Sequence, residues 1–389
     1  MIPLAKPYLS DQEITSVASV IRSGWITQGP KVAEFEKAFA QYVGANHAVA
    51  VSNCTSGLHL ALMALGIKEN DEVITVSHSY IATANSIRHC GAIPLFVDIE
   101  SDTFNINPLK VEASISDKTK AILCVHQMGM PCDIGTLLKI SEKHKLPLIE
   151  DAACAVGSQY YLNEKWEQIG KPHGDIAVFS FHPRKIITTG DGGMITTNSK
   201  SLFEKFQLLR QHSMSISDLI RHKEKSVIFE SYNELGYNYR LTDIQAAIGL
   251  VQLDRLDDIV EKRRKLADLY KKFLNGVKGI QLPEERTNTR TNWQSYCVRF
   301  DDSLSVHQIM QQLLEVGISS RRGILCAHLE PAYEVEPWTW YGKEEGKQVD
   351  LKESENARNH CIILPLFPEM KVQEIKFVCD SLIKILSNN

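Results

Sequence analysis

Three short segments carry residues whose types and spacing can do chemistry together. In Asn53-Cys54-Thr55-Ser56-Gly57, two hydroxyls and a glycine stand directly ahead of an apolar helical stretch. Open backbone amides at a helix N-terminus, with small hydroxyl side chains beside them, cradle phosphate. Alone, the segment is an ordinary Ser/Thr helix cap. Glu150-Asp151-Ala152-Ala153 follows the apolar pair Leu148-Ile149 with two acids and two residues small enough for close packing. A carboxylate there either caps a helix or points into a ligand crevice at a strand end. In the third segment, Phe179-Ser180-Phe181-His182-Pro183-Arg184-Lys185 runs from a strand-like stretch into a lysine. Thr188-Thr189-Gly190-Asp191-Gly192-Gly193-Met194 then turns into another strand-like stretch. A lysine attacks a carbonyl carbon only when part of its amine is neutral. Cationic Arg184 and partial desolvation are expected to lower its pKa. A lysine without such company is simply a solvated surface residue.

In chain order, the segments supply a phosphate cradle, a carboxylate and a nucleophilic amine. Pyridoxal phosphate (PLP) asks for that set. An amine bonds its aldehyde, a carboxylate keeps its pyridine nitrogen protonated, and the protonated ring accepts electrons from a breaking Cα–H bond. Ser180 is placed to add a hydroxyl to the phosphate held by Thr55 and Ser56.

The elements around these segments follow from hydrophobic spacing. Strands are expected at 48–51, 73–76, 94–97, 121–125, 147–150, 176–181 and 194–197. Helical stretches intervene, among them 56–65, closing at Gly66, and 134–144. Alternating β and α elements predict an α/β domain with a mostly parallel sheet covered by helices on both faces. Ligands in such sheets sit beyond the carboxyl ends of the strands. Upstream, the capping box Ser10-Asp11-Gln12-Glu13 opens a helix that ends at Ser23-Gly24. A second helix near 31–42 carries Val32, Phe35, Phe39 and Tyr42 on one face. Thr242-Asp243-Ile244-Gln245 is another capping box, and helical spacing then persists to about Phe273. One long helix is therefore expected to join a large PLP-binding domain, residues 1–250, to a smaller C-terminal α+β domain, residues 251–389. The smaller domain carries an expected strand at 295–300 and helices at 306–316, capped by Ser305, and 372–386. Lys343-Glu344-Glu345-Gly346-Lys347 reads as an exposed loop.

The composition agrees with a soluble globular protein, and the length with two domains. The chain has 389 residues, 43% hydrophobic and 23% charged. A net charge of −4, well mixed along the chain, offers no basic face for nucleic acid. The nine cysteines are scattered without CxxC spacing, which argues against a metal site or a redox dithiol and for a reducing cytoplasm. From Met1 to Glu13 no apolar signal-peptide core is read, and no uncharged stretch reaches membrane-spanning length.

Ser180-Phe181-His182-x-x-Lys185 followed by Thr189-Gly190-Asp191-Gly192-Gly193 resembles the lysine motif of the DegT/DnrJ/EryC1/StrS sugar aminotransferases. The resemblance runs nearly the whole chain. It starts at Ser23-Gly24-Trp25-Ile26-Thr27-Gln28-Gly29-Pro30 and takes in Cys54-Thr55-Ser56-Gly57-Leu58-His59-Leu60-Ala61-Leu62. It continues through Asp71-Glu72-Val73-Ile74, Glu150-Asp151-Ala152-Ala153 and Gly236-Tyr237-Asn238-Tyr239-Arg240-Leu241-Thr242-Asp243-Ile244-Gln245-Ala246-Ala247. It implies an aspartate-aminotransferase fold, bound PLP and a homodimer. It further implies that Lys185 forms the Schiff base and shuttles protons, and that Asp151 pairs with the pyridine nitrogen. Thr55, Ser56 and Ser180 would hold the phosphate, and Tyr80 would stack on the ring. Asn238 would reach the phosphate of the other subunit, so that the dimer completes each site. Cys154 stands where many members carry Gln or His beside the ring, Val76 replaces a usual proline, and Asp191 replaces a common glutamate. The implied reaction moves an amino group from a donor, L-glutamate, to a nucleotide-linked keto sugar.

Three alternatives share the fold. A PLP-dependent sugar dehydratase carries histidine at the lysine position, and a non-catalytic regulator is expected to lose Lys185 or Asp151. Both residues are present here. A keto-cyclitol is an alternative amino acceptor. His126, after the strand at 121–125, and His328, in the C-terminal domain, are expected to reach substrate, with purely structural roles as the plainer reading. Trp338, Trp340 and Tyr341 read as a packed cluster. Arg321-Arg322 reads as exposed charge or as a fork for a diphosphate.

Overall fold

The computed structural model describes residues 1–216, 229–342 and 350–387; the charged stretch 343–347 lies outside the described residues. Every apolar run expected as a strand before residue 200 is one. In chain order these are β1 (His47–Val51), β2 (Glu72–Val76), β3 (Ile93–Val97), β4 (Thr119–Val125) and β5 (Leu148–Asp151). The hairpin β6 (Gln159–Leu162) and β7 (Lys165–Gln168) follows, then β8 (Ile176–Ser180) and β9 (Gly193–Thr197). Beyond them lie β10 (Ile280–Gln281), β11 (Thr289–Arg290), β12 (Tyr296–Phe300), β13 (Arg321–Arg322), β14 (Thr339–Trp340) and β15 (Cys361–Leu364).

The large sheet has the order β1-β9-β8-β5-β4-β2-β3-β14. From β8 through to β14 neighbours run parallel, and β9 is antiparallel to both of its neighbours. Its central strands are almost wholly buried, because helices cover both faces. The covering helices include α1 (Asp11–Ser23), α2 (Pro30–Val43), α3 (Cys54–Ala64), α4 (Ala82–His89), α5 (Pro108–Ser114), α6 (Ile134–His144) and α7 (Lys200–Leu209). Phe35 and Phe39 of α2 pack on Phe181 and Phe179, with ring centroids 5.3 and 5.0 Å apart, and so fix the chain that leads to Lys185. The second sheet, β10-β12-β15-β13, carries its own core.

Both expected capping boxes form: Glu13 and Gln245 each accept from the backbone amide of their cap residue, at 2.8 and 3.2 Å. The long helix expected after Thr242 is two helices, α8 (Asp243–Asp254) and α9 (Leu256–Leu274), broken at Arg255. Arg255 and Gln252 both reach across to the backbone oxygen of Tyr8 and to the buried carboxylate of Glu13. Spacing does not reveal the break, because Leu253, Leu256 and Ile259 are buried on both sides of it. The remaining described α-helices are α10 (Val306–Glu315), α11 (Lys352–His360) and α12 (Val372–Ser387). Between β13 and β14 the chain returns to the large sheet. Ala327 N donates to Ser77 O at 2.9 Å, and β14 pairs with β3. Among the described residues no helix is long and apolar enough to cross a membrane.

Candidate active site

The carboxyl ends of β4, β5 and β8 open onto one cavity of about 700 Å³. Thr55, Ser56, Tyr80, Asp151, Cys154, Ser180 and Lys185 all line it. The Thr55-Ser56 turn at the start of α3 is held by its own neighbours. Asn53 Oδ1 caps α3 by accepting from Ser56 N at 2.8 Å, and Ser52 Oγ donates to Ser56 Oγ at 3.2 Å. Gly193 begins β9 directly against this turn. A Cβ there would lie 2.7 Å from the carbonyl carbon of Asn53, so the glycine is required by close approach.

Lys185 sits on a loop closed by its own backbone. Phe181 N donates to Gly192 O at 2.9 Å, Thr189 N to Phe181 O at 3.0 Å, and Gly190 turns the chain at φ 87°. The Lys185 amine donates to Cys154 Sγ at 3.1 Å. Burial works to lower the Lys185 pKa, but Cys154, Cys54 and Asp151 outweigh it and the net shift is upward. The depression expected from Arg184 is therefore not found: the groups facing the amine are a carboxylate and thiols.

Asp151 is buried at the end of β5. Thr83 Oγ1 donates to Oδ2 at 2.8 Å and Ala153 N to Oδ1 at 3.1 Å. Ser79 Oγ lies 2.8 Å from Thr83 Oγ1 and steadies it in turn. Burial raises the Asp151 pKa in spite of these donors and of Lys185. A protonated nitrogen brought beside it relieves that cost. Thr83 and Ser79 were not singled out from sequence. They lie in the stretch that carries Tyr80, but nothing local signals a contact with a strand end 68 residues away.

Two expected substrate contacts are corrected. His126 is fully buried and does not line the cavity. Its Nδ1 accepts from Cys132 N at 3.0 Å, so the ring is the neutral tautomer that donates from Nε2 to Glu150 Oε2, also at 3.0 Å. His328 is likewise turned inward. Its Nδ1 lies 2.6 Å from Ser77 Oγ and its Nε2 lies 3.2 Å from Glu355, so it ties the returning chain to the Tyr80 segment. Asn238 is exposed, pairs its backbone with Gln211, and does not line the cavity of this chain. Gln294, Ser295 and Arg321 do line it, although long-range folding alone brings them there.

Glu150, next to Asp151, is the buried anchor of this strand end. It accepts from His126 Nε2 and from the amides of His173 and Gly174, at 3.0, 3.0 and 3.2 Å. Burial opposes ionisation, but His126 and His173 outweigh it and hold the carboxyl well below its ordinary range. Its contribution to stability is therefore present above the ordinary carboxylate pKa and is lost as pH falls. Glu150→Gln is expected to cost about 2 kcal/mol near neutral pH. It is also expected to flatten the acid limb of a melting-temperature profile against pH. An unchanged acid limb would show that Glu150 is not the group responsible.

The sequence model of the DegT/DnrJ/EryC1/StrS aminotransferase family matches residues 7–383. The chain belongs to that family. It is 36% identical to the spore coat polysaccharide biosynthesis protein SpsC of Bacillus subtilis, covering 98% of this chain and 96% of SpsC. The aminotransferase TlmJ of Streptoalloteichus hindustanus superposes with a TM-score of 0.89 at 30% identity, over 100% of this chain and 99% of TlmJ. Spr1654 of Streptococcus pneumoniae, described as a sugar aminotransferase, superposes in its PMP-form with a TM-score of 0.90 at 27% identity, over all of both chains. It has also been solved in a PLP-form. This member of the DegT/DnrJ/EryC1/StrS family is a PLP-dependent sugar aminotransferase. The residues present fit the cofactor. A capped helix N-terminus with hydroxyls, a buried carboxylate and Lys185 share one cavity.

Proposed function

We propose that this enzyme takes an amino group from L-glutamate and delivers it to a nucleotide-linked keto sugar, acting as a cytoplasmic homodimer. The observation that carries the acceptor class is the cationic mouth of the cavity. Arg184 and Arg321 both line it. The Arg321 pKa is lowered, first by burial and then by the nearby Arg184 and Arg322. Guanidiniums crowded in this way favour an anion between them, and their planar forks suit the diphosphate of a nucleotide sugar or the carboxylates of glutamate. The similarity to a polysaccharide biosynthesis protein supports a sugar destined for a polymer. Free cysteines alone among the described residues support a reducing compartment. The exposed position of Asn238 supports a role at the phosphate of a second subunit, and so a dimer. A second core whose buried members lie between Leu266 and Leu382 supports a smaller unit within 251–389, while the core of the large unit, 1–250, also takes in Leu253, Leu256, Ile259 and Val260; the smaller unit sends β14 back to the large sheet.

PLP, when bound, supplies an aldehyde for Lys185 and a sink for electrons. Thr55, Ser56, Ser180 and the first amides of α3 would hold its phosphate. Asp151, steadied by Thr83 and the amide of Ala153, would keep its ring nitrogen protonated. Tyr80, exposed at the cavity, would meet the ring. Lys185 Nζ, once displaced by the amino donor, would accept a proton from the donor Cα, and with the keto sugar bound would carry a proton in the reverse direction.

Visible spectra of the yellow holoenzyme test the donor. L-Glutamate is expected to bleach the band; a band that only other amino acids bleach removes glutamate from the reading. Arg321→Ala is expected to raise KM for the nucleotide-linked keto sugar about 10- to 100-fold with little change in kcat, as for loss of a charge-assisted hydrogen bond. Unchanged KM, or turnover of a keto-cyclitol in preference, would replace the proposed acceptor. Light scattering reads the dimer directly.

A further inference from the structure

A second cleft, of about 250 Å³, lies against α9 at the base of the smaller sheet. Asp268, Glu284 and Glu285 line it, against one ammonium, Lys271. Its inner wall is aromatic, formed by Trp293 and Tyr296, whose rings lie 5.5 Å apart. Tyr296 is only 1% exposed, yet its phenol oxygen is buried without a hydrogen-bond partner among the described residues. A buried hydroxyl left unpaired is costly and calls for a ligand atom. An excess of carboxylate calls for a cation, and an aromatic wall suits an ammonium or the C–H face of a sugar.

The cleft is joined to the catalytic cavity through three consecutive residues. Trp293 faces the cleft, while Gln294 and Ser295 line the catalytic cavity. Trp293 is held in the left-handed region, at φ 52°, by its amide on Thr291 Oγ1 at 3.1 Å and by Arg263 Nε on its carbonyl at 2.9 Å. Glu285 Oε1 accepts from Thr291 N at 2.5 Å. On the other side, Gln294 Nε2 donates to Arg184 O at 2.9 Å, one residue before Lys185. A ligand that moves Trp293 therefore pulls on the loop that carries the lysine.

We propose that this cleft is an effector site for a small free amino sugar, the sugar part of the proposed product without its anionic nucleotide, and that its occupation slows transamination. The ammonium meets Asp268, Glu284 and Glu285, a ring oxygen or hydroxyl accepts from Tyr296, and the C–H face lies on Trp293. The choice of an amino sugar rests on the sugar-aminotransferase activity; the cleft chemistry itself asks for a cationic polyol. Coupling through 293–295 acts on the loop that carries Lys185, so occupation of the cleft falls on turnover rather than on substrate affinity.

The test titrates D-glucosamine, D-glucose and putrescine into the PLP-bound enzyme and follows tryptophan fluorescence and calorimetric heat. Glucosamine is expected to bind saturably and at least about tenfold more tightly than either control, a difference of about 1.4 kcal/mol. Tyr296→Phe and Glu285→Gln are each expected to weaken glucosamine about tenfold or more while the cofactor band and melting temperature are retained. In kinetics, glucosamine is expected to lower kcat at saturating keto sugar, and Tyr296→Phe to relieve this. Equal binding of glucose or putrescine overturns the ligand class. Binding untouched by both variants, or inhibition that is purely competitive, places glucosamine in the catalytic cavity and overturns the site without affecting the aminotransferase activity. No binding at tens of millimolar overturns the proposal outright.

Discussion

Lys185→Ala is expected to lower transamination by about 10⁴-fold, the upper range for loss of a positioned acid–base group, because the same amine bonds the cofactor and moves the proton. Among the described residues Lys185 is the only lysine lining the cavity, so none of them offers a second amine in its place. The nearest side-chain partner, Cys154 at 3.1 Å, offers a thiol of different reach and chemistry. Lys185→Arg tests the same point without removing charge. A guanidinium is not deprotonated under working conditions and is expected to fail as badly as alanine. The measurements are the keto-sugar turnover rate and the visible band of the purified protein. Both variants should lose the yellow lysine-bound species while retaining affinity for PLP through Thr55, Ser56, Ser180 and Asp151. A variant that transaminates within tenfold of the parent would remove Lys185 from the mechanism.

Asp151→Asn is expected to slow the reaction about 10²- to 10³-fold, the scale of losing one preorganised electrostatic partner. The change leaves the geometry largely intact, since an amide oxygen still accepts from Thr83 Oγ1 or from Ala153 N. What it removes is the charge that keeps the ring nitrogen protonated. The same residue bears on stability. Burial raises the Asp151 pKa in the cofactor-free chain, so the folded state prefers the protonated acid. Stability attributable to this group is complete below the ordinary carboxylate pKa and declines as pH rises through the raised value. Near neutral pH the cofactor-free Asn variant should therefore melt at a higher temperature than the parent, while binding PLP less tightly and reacting more slowly. A variant that both melts lower and reacts slower would point to simple misfolding of the β5 end. An active site that carries such a cost without its ligand is a common compromise between stability and function.

Cys154 and Tyr80 show how the same site reads at two levels. The lysine motif and the acidic pair announce the chemistry, but the thiol contact of Lys185 joins residues 31 positions apart. Tyr80 would pass as ordinary packing in a bare sequence, yet it is 58% exposed at the edge of the cavity. An exposed aromatic at the edge of the cavity is placed to meet a flat ring.

Local chemistry is what the amino-acid sequence by itself determined. Apolar runs such as Ile176–Ser180 become buried strands, and Ser10 and Thr242 cap their helices, because those outcomes depend on residues within a few positions. Lys185, Asp151 and the Thr55-Ser56 turn were legible for the same reason: each ends or begins a recognisable element, and parallel strands carry their ends to one edge. Tertiary structure alone decided which way a side chain faces once the chain has folded back. His126 follows a strand as expected, but Glu150 and the Cys132 amide hold its ring inside the protein. His328 is clipped to Ser77 across 251 positions, and the expected long helix is interrupted at Arg255 as that residue reaches toward Glu13 and Tyr8. A buried histidine or arginine goes where its hydrogen-bond partners are, and those partners are set by the packing of distant segments rather than by spacing along the chain.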